Sequence, residues 1–146
     1  METEVKEYYK NYEASNEINR AHYFLADQIL GFNPTSVFEF GCGTGKNLKL
    51  LLDQSPKIRK ATGVDISMKN IEKAHTVNFL NDCRLADERS LATFEDKSCD
   101  VVFTCSVLDH IQQISRIIVE LLVYRFGELT DSNLPLVEDK TKSDLP

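Results

Sequence analysis

Glu39-Phe40-Gly41-Cys42-Gly43-Thr44-Gly45 is the stretch that decides how this chain folds. It continues Ser36-Val37-Phe38, so a short run of strand formers passes directly into three glycines at alternate positions. Glycines at that spacing let the backbone turn sharply and let a ligand approach without Cβ atoms in the way. A helix that starts straight after the turn points its free N–H groups at such a ligand. A Walker A phosphate loop aligned on Gly45-Lys46 fails at both ends, since its first glycine would be Phe40 and its Ser/Thr would be Asn47. A dinucleotide fingerprint begun at Gly41 and Gly43 would need its third glycine at Lys46. Here the third glycine comes one position early, at Gly45, and an acid, Glu39, precedes the first. A plain strand-to-helix turn without a ligand is the alternative.

Upstream of this turn, Ile18, Ala21, Leu25 and Ile29 recur at helical spacing over Ser15 to Leu30, with His22 on the same face. That face favours a satisfied core histidine over a ligand contact. Gly31-Phe32-Asn33-Pro34 ends the helix. Residues 1–13 hold Tyr8, Tyr9 and Tyr12 among charges with no clear period, and either form a lid or simply pack. Downstream, Leu48, Leu51 and Leu52 mark a second helix in which Lys46 reads as a solvated residue, and Lys60 to Ile66 reads as a second strand. Ser67 can cap a helix carrying Met68, Ile71 and Ala74, with His75 structural or partly exposed. A weaker strand is expected near Asp82 to Ala86. Asp100-Val101-Val102-Phe103-Thr104-Cys105 is an apolar run suited to a strand covered on both faces. It leads into a periodic helix through Ile111, Ile114, Ile117, Ile118, Leu121 and Leu122, and residues 128–146 read as an irregular tail. Alternating strands and helices predict one α/β domain over residues 1–146, a Rossmann-like parallel sheet of about four or five strands with helices on both faces.

The chain has 146 residues, with 17 basic and 23 acidic side chains and a net charge of −6. Nucleic acid is therefore not the expected partner, because phosphate binding normally needs a basic surface. No apolar run is long enough to span a membrane. The polar start, Met1-Glu2-Thr3-Glu4, predicts no secretory signal. The four cysteines, Cys42, Cys83, Cys99 and Cys105, include no C-x-x-C pair, so no metal site is expected. Reduced thiols in a cytoplasmic protein are the simplest reading, with Cys42 and Cys105 as small packing residues rather than nucleophiles.

The glycine stretch resembles motif I of the class I S-adenosylmethionine-dependent methyltransferases, E/D-x-G-x-G-x-G. Asp65, about 20 residues past Gly45 in Gly63-Val64-Asp65-Ile66-Ser67, resembles the family's acid that accepts hydrogen bonds from both ribose hydroxyls. An acid flanking the Ser67 helix is the bland alternative. Asp87 in Leu85-Ala86-Asp87 resembles the acid that accepts from the adenine amino group, with Glu88 and a solvated loop as competitors. The run from Asp100 to Ile111 is similar to the motif that lines the methionine and methyl group. The resemblance therefore places Glu39, Gly41, Cys42, Gly43 and Gly45, then Asp65 and Ile66, then Asp87 and Cys105, along the cofactor.

What the resemblance implies is transfer of a sulfonium-bound methyl from S-adenosylmethionine to an O, N, S or C atom, leaving S-adenosylhomocysteine. His110 and Asp109 are the nearest candidates for a general base, since α/β folds place ligands after the C-terminal ends of strands; a plain helix start is their other reading. The acidic balance favours a small-molecule, sugar or lipid-linked acceptor. The family's usual sheet continues with further strands after the helix at 111–126, yet only residues 127–146 follow, and one βαβ unit needs roughly 30 or more. The acceptor half is therefore expected from a homodimer or partner chain, and an exposed fourth-strand edge points the same way. A non-catalytic S-adenosylmethionine-binding module, or a truncated methyltransferase needing a partner chain, is the alternative.

Overall fold

The strand that precedes the glycine turn, β1 (Ser36–Phe40), is buried along nearly all its length and lies inside a parallel sheet. The computed structural model describes residues 3–86, 99–105 and 107. Among them, β1, β2 (Lys60–Asp65), β3 (Cys83–Leu85) and β4 (Val101–Thr104) take the order β3-β2-β1-β4, all parallel. Phe40 stands opposite Val64 on one side and Thr104 on the other, so the C-terminal ends of three strands share one edge. The strands expected from the apolar runs are all present, and β1 has the expected bounds.

Four helices are described: α1 (Thr3–Lys10), α2 (Arg20–Leu30), α3 (Lys46–Gln54) and α4 (Met68–Thr76). The chain steps outward from β1 to β2 to β3, and right-handed crossovers then put α3 and α4 on the same face. Ala26 and Ile29 of α2, Leu48 and Leu51 of α3 and Ile71 and Ala74 of α4 join Val37, Ala61 and Cys83 of the sheet in one core. Phe38 and Phe40 point to the opposite face by strand alternation and are also buried. The expected helix at 111–126 and the tail lie outside the described residues.

Two local expectations are corrected. Residues 1–13 are read without a clear period, yet Thr3–Lys10 is helical: Val5, Tyr8, Tyr9 and Tyr12 stand at helical spacing, and the three tyrosine rings meet edge-on or tilted at 5.1 to 5.9 Å. The helix read from Ser15 begins only at Arg20, because Asn19 caps it through its side-chain oxygen on the N–H groups of Ala21 and His22. No helix of the described residues is long and apolar enough to cross a membrane.

Candidate functional site

Sharp reversal of the chain after β1 depends on positive φ at Gly41, Gly43 and Gly45. The reversed loop is fastened to its neighbour, since Gly41 and Cys42 both donate their N–H groups to the Val64 carbonyl, at 2.8 and 2.9 Å. Gly45 caps α3 without any side-chain acceptor, so the first N–H groups of that helix stay available. Beside this turn the described residues enclose a cleft of about 530 Å³, a size suited to a small ligand.

Most of the residues expected along a cofactor meet there. Glu39, Gly41, Cys42 and Gly43 line the cleft from the turn, Asp65 and Ile66 from the end of β2, and Cys105 from the end of β4. Gly45 lies beneath them, packed towards Leu80. Asp87, Asp109 and His110 lie outside the described residues, although Ala86, next to Asp87, lines the cleft. Lys46 lines the cleft and is half-buried, so its solvated reading is corrected.

Asp65 is held in place from three sides. Its Oδ2 accepts from the Gly43 N–H at 2.8 Å, and its Oδ1 accepts from the Ser67 N–H at 2.9 Å and from Asn70 Nδ2 at 3.1 Å. It is thus both the acid flanking the Ser67 helix and an oriented carboxylate in the cleft wall. Such preset orientation costs a ligand less than ordering a free side chain would.

Glu39 is fully buried and accepts from Asn47 Nδ2 through Oε1 at 2.8 Å, while Oε2 has no partner among the described residues. Burial pushes its pKa up to about 8, against the Asn47 hydrogen bond, which pulls it down. A carboxyl in that state is ready to ionise opposite a cationic donor in the cleft. Hydrogen bonding with Cys83 and burial hold the Cys42 thiol well above the ordinary range.

His22 lines the cleft rather than the core. Its Nδ1 accepts from the Asn19 N–H at 2.9 Å, so the ring is satisfied as expected but at the rim. Burial, then the Lys46 charge, lower its pKa. His75 is exposed and contacts the Cys83 carbonyl through Nε2 at 2.7 Å, a structural role.

Sequence reasoning passed over Asn47 and Asn70. Each is a buried polar residue on the apolar face of its helix, beside Leu48 and Leu51 or beside Ile71 and Ala74. That misfit was legible; the partners were not. The segment 12–16, which also lines the cleft, left no such signal. Tyr12 accepts from Ser67 Oγ at 2.6 Å through its carbonyl, and Ala14 donates its N–H to Asn70 Oδ1 at 2.8 Å. Asn16 Oδ1 accepts from Thr44 Oγ1 and Asn78 Nδ2 at 2.8 and 2.9 Å.

Comparison with known proteins agrees with this geometry. The sequence profile of a family described as "Methyltransferase domain" matches residues 38–123. No curated protein matches the chain. Among solved structures, magnesium protoporphyrin IX methyltransferase from Synechocystis PCC 6803, with bound S-adenosylhomocysteine, is similar at 20% identity and a TM-score of 0.57, over 82% of this chain and 66% of that one. The N-terminal domain of EvdMO1, solved with S-adenosylhomocysteine and D-fucose, gives 18% identity and 0.60, over 73% and 48%. A methyltransferase in complex with the Haloferax volcanii Trm112 activator gives 19% and 0.56, over 71% and 51%. The chain spans about half to two thirds of the length of these structures, and likeness at such identities fixes the fold alone. With the family profile covering more than half of its residues, the chain belongs to the methyltransferase-domain family.

Proposed function

We propose that this chain binds S-adenosylmethionine in the cleft beside the glycine turn and holds it for methyl transfer to a small-molecule, sugar or lipid-linked acceptor. The observation that carries this reading is the pair of acids flanking the turn. Glu39 lines the cleft with a fully buried Oε2 that has no partner among the described residues, and Asp65 is oriented by three donors. Their spacing in kind suits the cofactor: a carboxylate for vicinal hydroxyls and a buried carboxyl for an α-ammonium. When bound, the cofactor supplies an electrophilic methyl on a sulfonium.

The chain's own part is to bind, align and keep out water. Asp65 would accept from the ribose hydroxyls, and Glu39 would ionise against the ammonium. Cys42, Ile66 and Cys105 would give apolar contact, while Gly41 and Gly43 let the backbone come close. Asp87 is proposed for the adenine amino group. His110, with Asp109, is proposed as the base that takes a proton from a hydroxyl acceptor.

A second copy of the chain or a partner protein is proposed beside β4, the outer strand of the described sheet on that side. A cytoplasmic setting is proposed, in which the four cysteines of the sequence stay reduced. Binding without turnover is the second reading, which the acceptor panel below separates from the first.

Calorimetric titration with S-adenosylmethionine and S-adenosylhomocysteine, beside NAD and ATP, tests the assignment. Both sulfur ligands are expected to bind, and Asp65→Ala is expected to weaken them by about tenfold to a hundredfold, the loss of hydrogen bonds to a charged group. Absence of binding, or an unchanged affinity in Asp65→Ala, would sink it. Turnover on an acceptor panel separates enzyme from binding module.

A further inference from the structure

Residues 12–16 form a strap along the cleft, with Tyr12, Ala14 and Ser15 among its lining. Its anchors fall almost wholly on α4, on the turn after α4 and on the glycine loop: Ser67 holds Tyr12, Lys73 pairs with Glu13, Asn70 holds Ala14, and Thr44 and Asn78 hold Asn16. One of these anchors differs from the rest. Asn70, 2% exposed, binds the strap with one end of its carboxamide and Asp65 with the other.

Chemistry fixes which end does which. Asp65 presents only acceptors, so Asn70 must offer it Nδ2; the Ala14 N–H is a donor, so Asn70 must offer it Oδ1. A flipped amide would set oxygen against carboxylate and NH₂ against N–H. Asn70 is itself buried, so an end of the carboxamide that loses its partner is left as an unmet polar group.

We infer that Asn70 is a positioning residue that couples the carboxylate of Asp65 to the strap at residues 12–16, so that ligand capture and strap closure strengthen one another. The inference rests on the cofactor reading above, since the ligand must touch both Asp65 and the strap. With the strap closed, Asn70 is fixed and Asp65 stands oriented for the ligand. With the ligand seated, Asp65 and the lining residues Tyr12 and Ala14 are held, and the strap opens less.

The test pairs calorimetry with proteolysis. Wild-type protein and variants are titrated with S-adenosylhomocysteine, and are digested with chymotrypsin, which cuts after Tyr8, Tyr9 and Tyr12, with and without it. Ligand is expected to slow cleavage in the wild type. Asn70→Ala and Asn70→Asp are expected to bind about tenfold more weakly, to be cut faster, and to gain no protection from ligand. Ala14→Pro removes the strap's N–H without altering any side chain of α4 or Asp65, and is expected to show both effects in milder form. The double variant Asn70→Ala/Ala14→Pro should bind no worse than Asn70→Ala, because both remove one connection.

Additive losses in the double variant, unchanged or tighter binding in the Asn70 variants, or strap protection that survives them would overturn the coupling while leaving the cofactor reading intact. Failure of the wild type to bind overturns the cofactor reading and the coupling with it. If circular dichroism shows that the Asn70 variants do not fold, affinity and ligand protection in Ala14→Pro decide: loss of both supports the coupling, and wild-type values overturn it.

Discussion

Glu39 combines complete burial with an oxygen that has no partner among the described residues, and its pH behaviour follows from that placement. Its pKa in the fold, about 8, lies above the ordinary 4.5, so the unfolded chain gives up this proton first as pH rises. The fold therefore loses stability between pH 4.5 and about 8, by up to about 1.4 kcal/mol per pH unit, and the loss is absent below that window. Glu39→Gln keeps an acceptor for Asn47 and removes the titration. Urea unfolding at about pH 5 and about pH 8 should show the variant gaining on the wild type at the higher pH; equal pH dependence in the two proteins would refute the assignment. A cationic ligand beside Oε2 would lower this pKa, so S-adenosylmethionine binding near neutrality should release a proton. Titrations in buffers of different ionisation enthalpy would show that release as a buffer-dependent heat. The acid itself was legible in the sequence as the residue before the first glycine. Its burial and its Asn47 contact were not, because both depend on what the next helix brings against it.

At the scale of elements, the turn between β1 and α3 is the part most tightly specified. Gly45 has φ +78°, and a Cβ there would stand 2.3 Å from Leu80 Cδ1, itself buried. Gly45→Ala is expected to cost about 1–3 kcal/mol, from the left-handed backbone and the collision together. Gly31, with φ −58° at the end of α2, makes the control, since alanine fits that conformation and Gly31→Ala should change stability far less. Thermal unfolding of the two variants checks the contrast, and equal losses would refute it. Strand and helix identities here were readable because their causes are local: alternation or apolar runs in strands, 3.6-residue spacing in helices, and Ser67 as a cap. The start of α2 and the whole of α1 escaped that reading. One depends on the Asn19 side chain choosing its backbone partners; the other buries none of its own residues and carries its period on Val5 and tyrosines among charges, which is easily passed over.

The whole molecule brings together parts that are far apart in the chain: the tyrosines before α2, the turn after β1, and the ends of β2 and β4. A ligand bound across them stabilises the folded state by mass action, about 2.7 kcal/mol at a hundred times its Kd. S-Adenosylhomocysteine should therefore raise the melting temperature while NAD and ATP leave it unchanged, and a rise with NAD instead would favour a dinucleotide site. The proposed association beside β4 is expected to appear in light scattering as a dimer, or as a complex with a partner; a purely monomeric species that methylates an acceptor unaided would refute it. By itself the sequence determined the parallel α/β fold, the glycine turn and the identity of Glu39 and Asp65, because neighbours along the chain are enough to set periodicity, turn geometry and motif spacing. Only the tertiary structure decided that Glu39 is buried beneath Asn47, that His22 belongs to the cleft rim, and that Asn70 joins Asp65 to a strap more than fifty residues upstream. Those facts depend on which polar groups meet after the chain has packed, and a buried hydrogen bond between distant residues leaves no period in the sequence.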